Sequence, residues 1–335
     1  MKIKKEAHAG RLERGDLRVT VSPGNGRNIK IKSSIGNMYG DRILADCTAE
    51  LDRLDVRDAN VLIEDDGGLT YVIAARVEAA VVAASEEKSP HKISSRKVAI
   101  QPERLRRSRL YIPGNNPALF PNAWLFGADM LLLDLEDSVP PSEKFSTRYL
   151  VRNALLDTNF GESEIAVRIN PLSSPFGIDD LEIIVPAGPE IIVLPKAESA
   201  DDVKTLKREI ARIQKDAGTD FHIGILPIIE SALGVIKAPE IAAVEDVVAL
   251  AFGAEDFTKD IGAERTKDGK EQFVARSSVV LAAKAYGKMA SDTVFSDLSD
   301  EEGLIRATEE ARTLGFDGRG LIHPGQVEIV HKVFA

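Results

Sequence analysis

The sequence predicts an α/β chain: a TIM-type (β/α)8 barrel over residues 105–335, preceded by a small α+β module over residues 1–84. Two observations predict the barrel. Eight short apolar segments recur after residue 105, and amphipathic helical patterns such as Ala200–Ala217 and Glu301–Leu314 separate them. Several of these segments are apolar without alternation, as strands buried on both faces of a parallel sheet must be. The third observation sets the boundary. Residues 85–104 mix Ser, Pro and charges of both signs, a composition that buries too little surface to order itself, so a linker is expected there.

In the first module, Asp16–Ser22 alternates apolar and polar residues, Pro23-Gly24-Asn25-Gly26 is turn chemistry, and Ile29–Ser33 alternates again. A hairpin is expected. Ile43, Leu44, Cys47, Leu51 and Leu54 have helical spacing. Val61–Asp65, the Asp66-Gly67-Gly68 turn and Thr70–Ala74 predict a second hairpin, and the Ala/Val-rich run from Arg76 to Ala84 predicts a closing helix. In the second part the strands are expected at Arg109–Ile112, Met130–Leu135, Ile165–Ile169, Ile191–Leu194, Ile223–Ile229, Val247–Phe252, Asp292–Phe295 and Gly320–Ile322. Eight β/α units of this length suit a barrel better than a doubly wound open sheet.

Composition narrows the function. The chain has 335 residues, 44% of them hydrophobic and 29% charged, with a net charge of −10 and one cysteine, Cys47. The acidic balance, with no lysine-rich block, argues against nucleic acid as a partner. A single cysteine excludes an internal disulfide and suits a reducing compartment. The charged start Met1-Lys2-Ile3-Lys4-Lys5-Glu6 is unlike a signal peptide, and no apolar run approaches the ~18 residues of a membrane span. A soluble cytoplasmic protein is expected.

Polar residues gather where the strands end, which is where barrel chemistry sits. They are Glu136 and Asp137, Arg168 and Asn170, Lys196 and Glu198, Glu230, Glu255 and Asp256, and His323. Glu230 and Asp256 have two readings: a carboxylate pair for a hard divalent cation, or first-turn residues of the following helices. Arg168 suits a bidentate grip on a carboxylate, or an ion pair with Glu136 or Asp137. Lys196 has the place of a Schiff-base lysine. The neighbouring carboxylates would raise its pKa, which favours a structural or substrate-orienting role. His323 is an acid–base candidate or a cap.

Seven stretches, in order, carry a family resemblance. They are Arg107-Ser108-Arg109-Leu110-Tyr111-Ile112-Pro113-Gly114, Leu133-Asp134-Leu135-Glu136-Asp137-Ser138-Val139, Val167-Arg168-Ile169-Asn170 and Leu194-Pro195-Lys196. Then come Pro227-Ile228-Ile229-Glu230-Ser231-Ala232, Phe252-Gly253-Ala254-Glu255-Asp256-Phe257, and Leu314-Gly315-Phe316-Asp317-Gly318 through Ile322-His323-Pro324. Residues 106–334 resemble the citrate lyase beta-chain family, a branch of the HpcH/HpaI aldolase superfamily. Residues 1–84 resemble the citrate lyase gamma chain, an acyl carrier protein, through Ala9–Asp16 and Ala74–Ala79.

The resemblance implies Mg²⁺ held by Glu230 and Asp256, and Arg168 as the clamp on a substrate carboxylate. Glu136 and Asp137 are its implied orienting groups, and Lys196 joins Arg168 and Glu230 among the substrate-binding residues. It further implies a C–C bond lyase acting on a 3-hydroxyacyl thioester such as citryl-, citramalyl- or malyl-CoA, releasing a keto acid and an acetyl thioester. A trimeric or hexameric homo-oligomer and a partner like the citrate lyase alpha chain are also implied. The alternatives are a non-catalytic or regulatory pseudo-enzyme and an aldolase on a CoA-free hydroxy-keto acid. Two departures bear on these. Arg14 stands where the carrier family has the serine that takes its prosthetic arm, so an unprimed module is expected. The sequence ends at Ala335, short of the helical lid that follows in the beta-chain family, so a barrel without that lid is expected.

Overall fold

The computed structural model describes residues 1–89, 104–266 and 268–335; most of the expected linker lies outside them. The chain divides into two compact units. The first comprises residues 1–89 with Pro113–Pro121 and Asp137–Asn159; the second comprises residues 104–112 with Asn122–Glu136 and Phe160–Ala335.

In the first unit the order is β1 (Ala7–Ala9), β2 (Leu17–Ser22), β3 (Arg27–Ser33), α1 (Gly36–Arg53), β4 (Ala59–Asp65) and α2 (Thr70–Ser85). The sheet order is β1-β2-β4-β3, with β2 antiparallel and β3 parallel to β4. The expected β2–β3 hairpin is therefore wrong, because β4 lies between the two strands. The turn is tied to the start of β4 instead of to itself. Gly26 N–H donates to Asp58 Oδ1 at 2.8 Å, and Ala59 N–H donates to Gly26 O at 3.0 Å. Gly24 makes this approach possible, since a Cβ there would lie 2.8 Å from the Ala59 carbonyl carbon.

The second hairpin is also wrong: Thr70–Ala74 is the first turn of α2. Asp65 Oδ1 accepts the N–H groups of Gly67 and Gly68 at 3.2 and 2.8 Å, an Asx turn that leads the chain out of the sheet. The Tyr71-Val72-Ile73 run then continues into an Ala/Val stretch buried on nearly every side. A segment buried all round has no polar face to reveal its period.

Two buried carboxylates hold this unit's charged interior. Arg76 forks Asp16, with Nε–Oδ1 at 3.0 Å and Nη2–Oδ2 at 2.8 Å. Glu78 receives Arg152 from helix α3 (Lys144–Asp157) and Arg53 from α1. Burial pushes the Glu78 carboxyl up, but the hydrogen bonds and charge of Arg152, then the charge of Arg53, outweigh it and hold it at about 2. Helix α3 thus packs on α2, and Asn153 Nδ2 donates to Tyr71 O at 3.2 Å.

The second unit's strands are β5 (Ser108–Pro113), β6 (Met130–Asp134), β7 (Glu164–Arg168), β8 (Ile191–Leu194), β9 (Gly224–Ile229), β10 (Ala249–Phe252), β11 (Met289–Asp292) and β12 (Gly318–Leu321). They form a closed barrel in the order β10-β11-β12-β5-β6-β7-β8-β9. The eight expected strands are present. The last two begin two or three residues earlier than expected, because Met289-Ala-Ser and Gly318-Arg-Gly have little strand character of their own. Their neighbours impose it through the register Ser291↔Gly318 and Arg319↔Ser108.

Helices α4 (Gly177–Ile184), α5 (Ala200–Ala217), α6 (Ala232–Ala242), α7 (Ala254–Asp260), α8 (Phe273–Ala285), α9 (Glu301–Leu314) and α10 (Gln326–Val333) complete the β/α repeats. The barrel interior is filled by Met130, Leu132, Ala166, Ile191, Val193, Leu226, Ile228, Ala249 and Ala251. Each Leu, Ile, Val or Met fully buried this way is worth about 1.5–3 kcal/mol. Among the described residues no helix is long and apolar enough to cross a membrane.

Candidate active site

Above that apolar plug, five consecutive strands, β6 to β10, end in charged side chains. The period of two fixes which ones point inward. On β6, Met130, Leu132 and Asp134 share a face; on β7, Ala166 and Arg168 do; on β5, Arg109 and Tyr111 do.

Arg168, the last residue of β7, is buried and held on two sides. Its Nε and Nη2 donate to the two oxygens of Asp134 at 2.7 and 2.8 Å, and Nη1 pairs with Glu136 Oε2 at 2.8 Å. Burial opposes the charge, but Asp134, Tyr111 and Glu136 overcome it and drive the pKa well above the usual arginine value. The guanidinium carbon also lies 5.1 Å from the centroid of the Tyr111 ring.

Glu230 follows β9 directly and is only 8% exposed. Its Oε1 accepts the backbone N–H of Lys196 at 2.7 Å. Its Oε2 lies where a side chain at Gly253 would go, 2.6 Å from the position of a Cβ there. Gly253 therefore makes room for the carboxylate at the start of α7, the helix that carries Asp256. Burial raises the Glu230 carboxyl to about 7, and the negative charge of Asp256 adds to it, against the Lys196 N–H and the charges of Arg168 and Lys196.

Lys196 adopts a left-handed backbone, φ 53°, rare for a side chain with a Cβ. That turn aims its N–H at Glu230 while its Nζ meets Asp256 Oδ2 at 3.2 Å. Partial burial pulls its pKa down, but Asp256, then Glu136 and Glu230, outweigh it and keep the pKa raised. A raised pKa is the opposite of what imine formation needs.

The donor set suits a hard divalent cation. Glu230 and Asp256 offer carboxylate oxygens from neighbouring strand ends, and Mg²⁺ takes one or two carboxylates while keeping water and substrate oxygens. Among the described residues no three His, Cys, Asp or Glu side chains gather as a closed metal cage. The raised carboxyl of Glu230 beside Asp256 marks a place where added positive charge is stabilising.

Of the residues singled out from the sequence, Glu136, Arg168, Lys196, Glu230 and Asp256 are brought together. Asp137 is exposed and groups with the first unit. His323 is exposed, and its Nδ1 accepts Gly325 N–H at 3.1 Å. Arg14 is exposed in the loop between β1 and β2. Asp134 and Tyr111 escaped sequence reasoning. Asp134 interrupts the apolar run Leu131–Leu135, and a lone charge on the inward face of such a strand was the available signal.

Residues 107–324 match the family model HpcH/HpaI aldolase/citrate lyase, and residues 4–84 match the acyl-carrier-type model of the malonate decarboxylase delta subunit. The citrate lyase subunit beta of Leuconostoc mesenteroides subsp. cremoris is 46% identical over 235 residues, which cover 70% of this chain and 78% of that protein. The mitochondrial citramalyl-CoA lyase of Mus musculus is 33% identical over 242 residues, covering 68% and 71%. Both relatives are named as carbon–carbon lyases. The solved structure of the citrate lyase beta subunit from M. tuberculosis complexed with oxaloacetate and magnesium matches with a TM-score of 0.59 and 33% identity, covering 69% of this chain and 97% of that one. The barrel, the ordered motifs and these matches agree: the chain belongs to the HpcH/HpaI aldolase/citrate lyase family, with an acyl-carrier-like domain at its N-terminus.

Proposed function

We propose that the chain is a Mg²⁺-dependent lyase that cleaves a 3-hydroxyacyl thioester into a 2-keto acid and an acetyl thioester. The observation that carries this reading is the grouping of Arg168, clamped by Asp134 and Glu136, with Glu230, Asp256 and Lys196 at adjacent strand ends.

In the reaction the substrate hydroxyl loses its proton and the bond between C2 and C3 breaks. The electron pair moves to the thioester enolate, which then takes up a proton. Arg168 binds the carboxylate of the departing keto-acid half, and Asp134 fixes the guanidinium so that little freedom is lost on binding. Glu136, on the other side of Arg168, orients the guanidinium. Lys196 presents its ammonium to the oxygens of the bound ligand while its backbone holds Glu230. Glu230 and Asp256 would hold the magnesium ion, which would supply Lewis-acid stabilisation of negative charge on oxygen. Raised-pKa Lys196 argues against an imine route.

The test is release of keto acid by the full chain from citryl-CoA, citramalyl-CoA and malyl-CoA. Release from at least one ester, stopped by EDTA and restored by Mg²⁺, supports the reading. No release from any of them favours a non-catalytic protein of the same fold.

A further inference from the structure

Most buried arginines in this chain donate to other residues. Arg76 meets Asp16, Arg106 meets Glu164, Arg152 meets Glu78, Arg168 meets Asp134 and Arg276 meets Asp292. Arg319 has no carboxylate, yet its Nη1 and Nη2 donate to Thr308 Oγ1 and Thr293 O at 3.0 and 3.1 Å. Arg109 on β5, only 3% exposed, differs from all of these. Its Nε and Nη1 are buried and donate no hydrogen bond among the described residues. Ser291 on β11, 6% exposed, carries a buried hydroxyl in the same condition.

Both side chains face the barrel interior. Arg109 shares a strand face with Tyr111, and Ser291 shares one with Met289; Tyr111 and Met289 pack against the apolar plug. Strand β12 runs between β5 and β11, pairing Gly318 with Ser291 and Gly320 with Arg109. Arg319, between the two glycines, turns outward to Thr308 on α9. No side chain of β12 therefore separates the guanidinium from the hydroxyl. A Cβ at residue 320 would sit 3.3 Å from Arg109 Nη2, so glycine there lets the arginine lie close against that strand.

Arginine keeps its charge in protein interiors, and a buried charge needs an opposite charge close by. The Tyr111 ring, with its centroid 5.5 Å from the guanidinium carbon, offsets only part of this need. The buried carboxylates on the barrel strands are engaged elsewhere: Glu164 by Arg106, Asp134 by Arg168 and Asp292 by Arg276. Water would satisfy the donors of Arg109 and leave its charge unbalanced. A small monovalent anion does both, and accepts from a guanidinium and a hydroxyl at once.

We propose that the barrel interior holds a small inorganic anion, chloride, between the guanidinium of Arg109 and the hydroxyl of Ser291. The ion takes the place of the missing carboxylate and stabilises the wall formed by β11, β12 and β5. Its site uses none of the strand-end carboxylates, and it stands or falls apart from the lyase reading.

The test is equilibrium dialysis of the full chain against radioactive chloride, with melting measured as chloride replaces gluconate at constant ionic strength. Wild type should bind the ion and melt about 3–6 °C higher when it is saturated. Arg109→Met should lose both the bound ion and the chloride dependence of melting, and without chloride it should melt no lower than wild type. Glu230→Gln should bind chloride as wild type does. Should Arg109→Met fail to fold, Ser291→Ala carries the test, and chloride weakened about threefold or more supports the site. Wild type that neither binds chloride nor melts higher in it would show that water alone fills the place, and would overturn the proposal. Wild-type chloride affinity in Arg109→Met or in Ser291→Ala would place the ion elsewhere and overturn it too.

Discussion

The backbone N–H of Lys196 reaches Glu230 Oε1 at 2.7 Å from a left-handed turn that lysine seldom adopts. Strain at one residue thus fixes the carboxylate of another, two strands' worth of charge converging through a main-chain bond. Glycine at 196 keeps that N–H and releases the strain, about 1–2 kcal/mol, partly offset by the greater freedom of glycine in the unfolded chain. Lys196→Gly should therefore raise stability by roughly 0.5–1 kcal/mol in urea unfolding while keto-acid release falls, about tenfold or more. A variant that is less stable and fully active would contradict this account of the turn.

Asp134 is the main anchor of Arg168. Asp134→Asn removes the charge that balances a buried guanidinium and should cost about 3 kcal/mol in thermal or denaturant unfolding. Losing the fixed orientation should lower kcat/KM about a hundredfold. Wild-type kinetics in this variant would show that Arg168 needs no such anchor.

The carboxyl of Glu230 is raised to about 7 by burial, with Asp256 adding to it. A cation binds the ionised form, so protons compete with metal. Apparent Mg²⁺ affinity should be level above pH 7, then fall about tenfold per pH unit below it, with proton release on binding near neutrality. Calorimetry in buffers of different ionisation enthalpy measures both. An affinity constant from pH 5.5 to 8 would remove Glu230 from the ligand set.

Much of this was legible in the sequence, for identifiable reasons. Barrel strands such as Ile191–Leu194 declare themselves because both faces are buried, and Glu230, Arg168 and Asp256 declare themselves because charge follows an apolar run. What was hidden depends on partners distant in sequence. The Thr70–Ala74 run is β-branched and aromatic, yet it continues into α2, whose burial on nearly every side comes from the sheet and from α3. Loop 23–26 carries hairpin chemistry, yet Asp58 and Ala59 claim its hydrogen bonds.

Glu78 gives the first unit its own acid sensitivity. Its folded carboxyl sits at about 2, below the ordinary 4.5, because Arg152 and Arg53 outweigh burial. A depressed carboxylate contributes stability that is fully present above pH 4.5 and is lost as pH falls through about 2. Glu78→Gln should cost about 3–5 kcal/mol at pH 7, since it leaves Arg152 buried without its charge partner. Its unfolding should also lose pH dependence over that acid window. Equal stability of variant and wild type at pH 7 would contradict the role given to this pair.

Mn²⁺ can stand in for Mg²⁺ at carboxylate sites and is countable by its electron spin resonance. Titrated into the full chain, Mn²⁺ should bind one ion per chain in competition with Mg²⁺. Glu230→Gln and Asp256→Asn should each weaken it about tenfold or more, and the pair together should abolish it. One ion bound with wild-type affinity in both variants, or none bound to wild type, would contradict the claim that these two carboxylates share a cation.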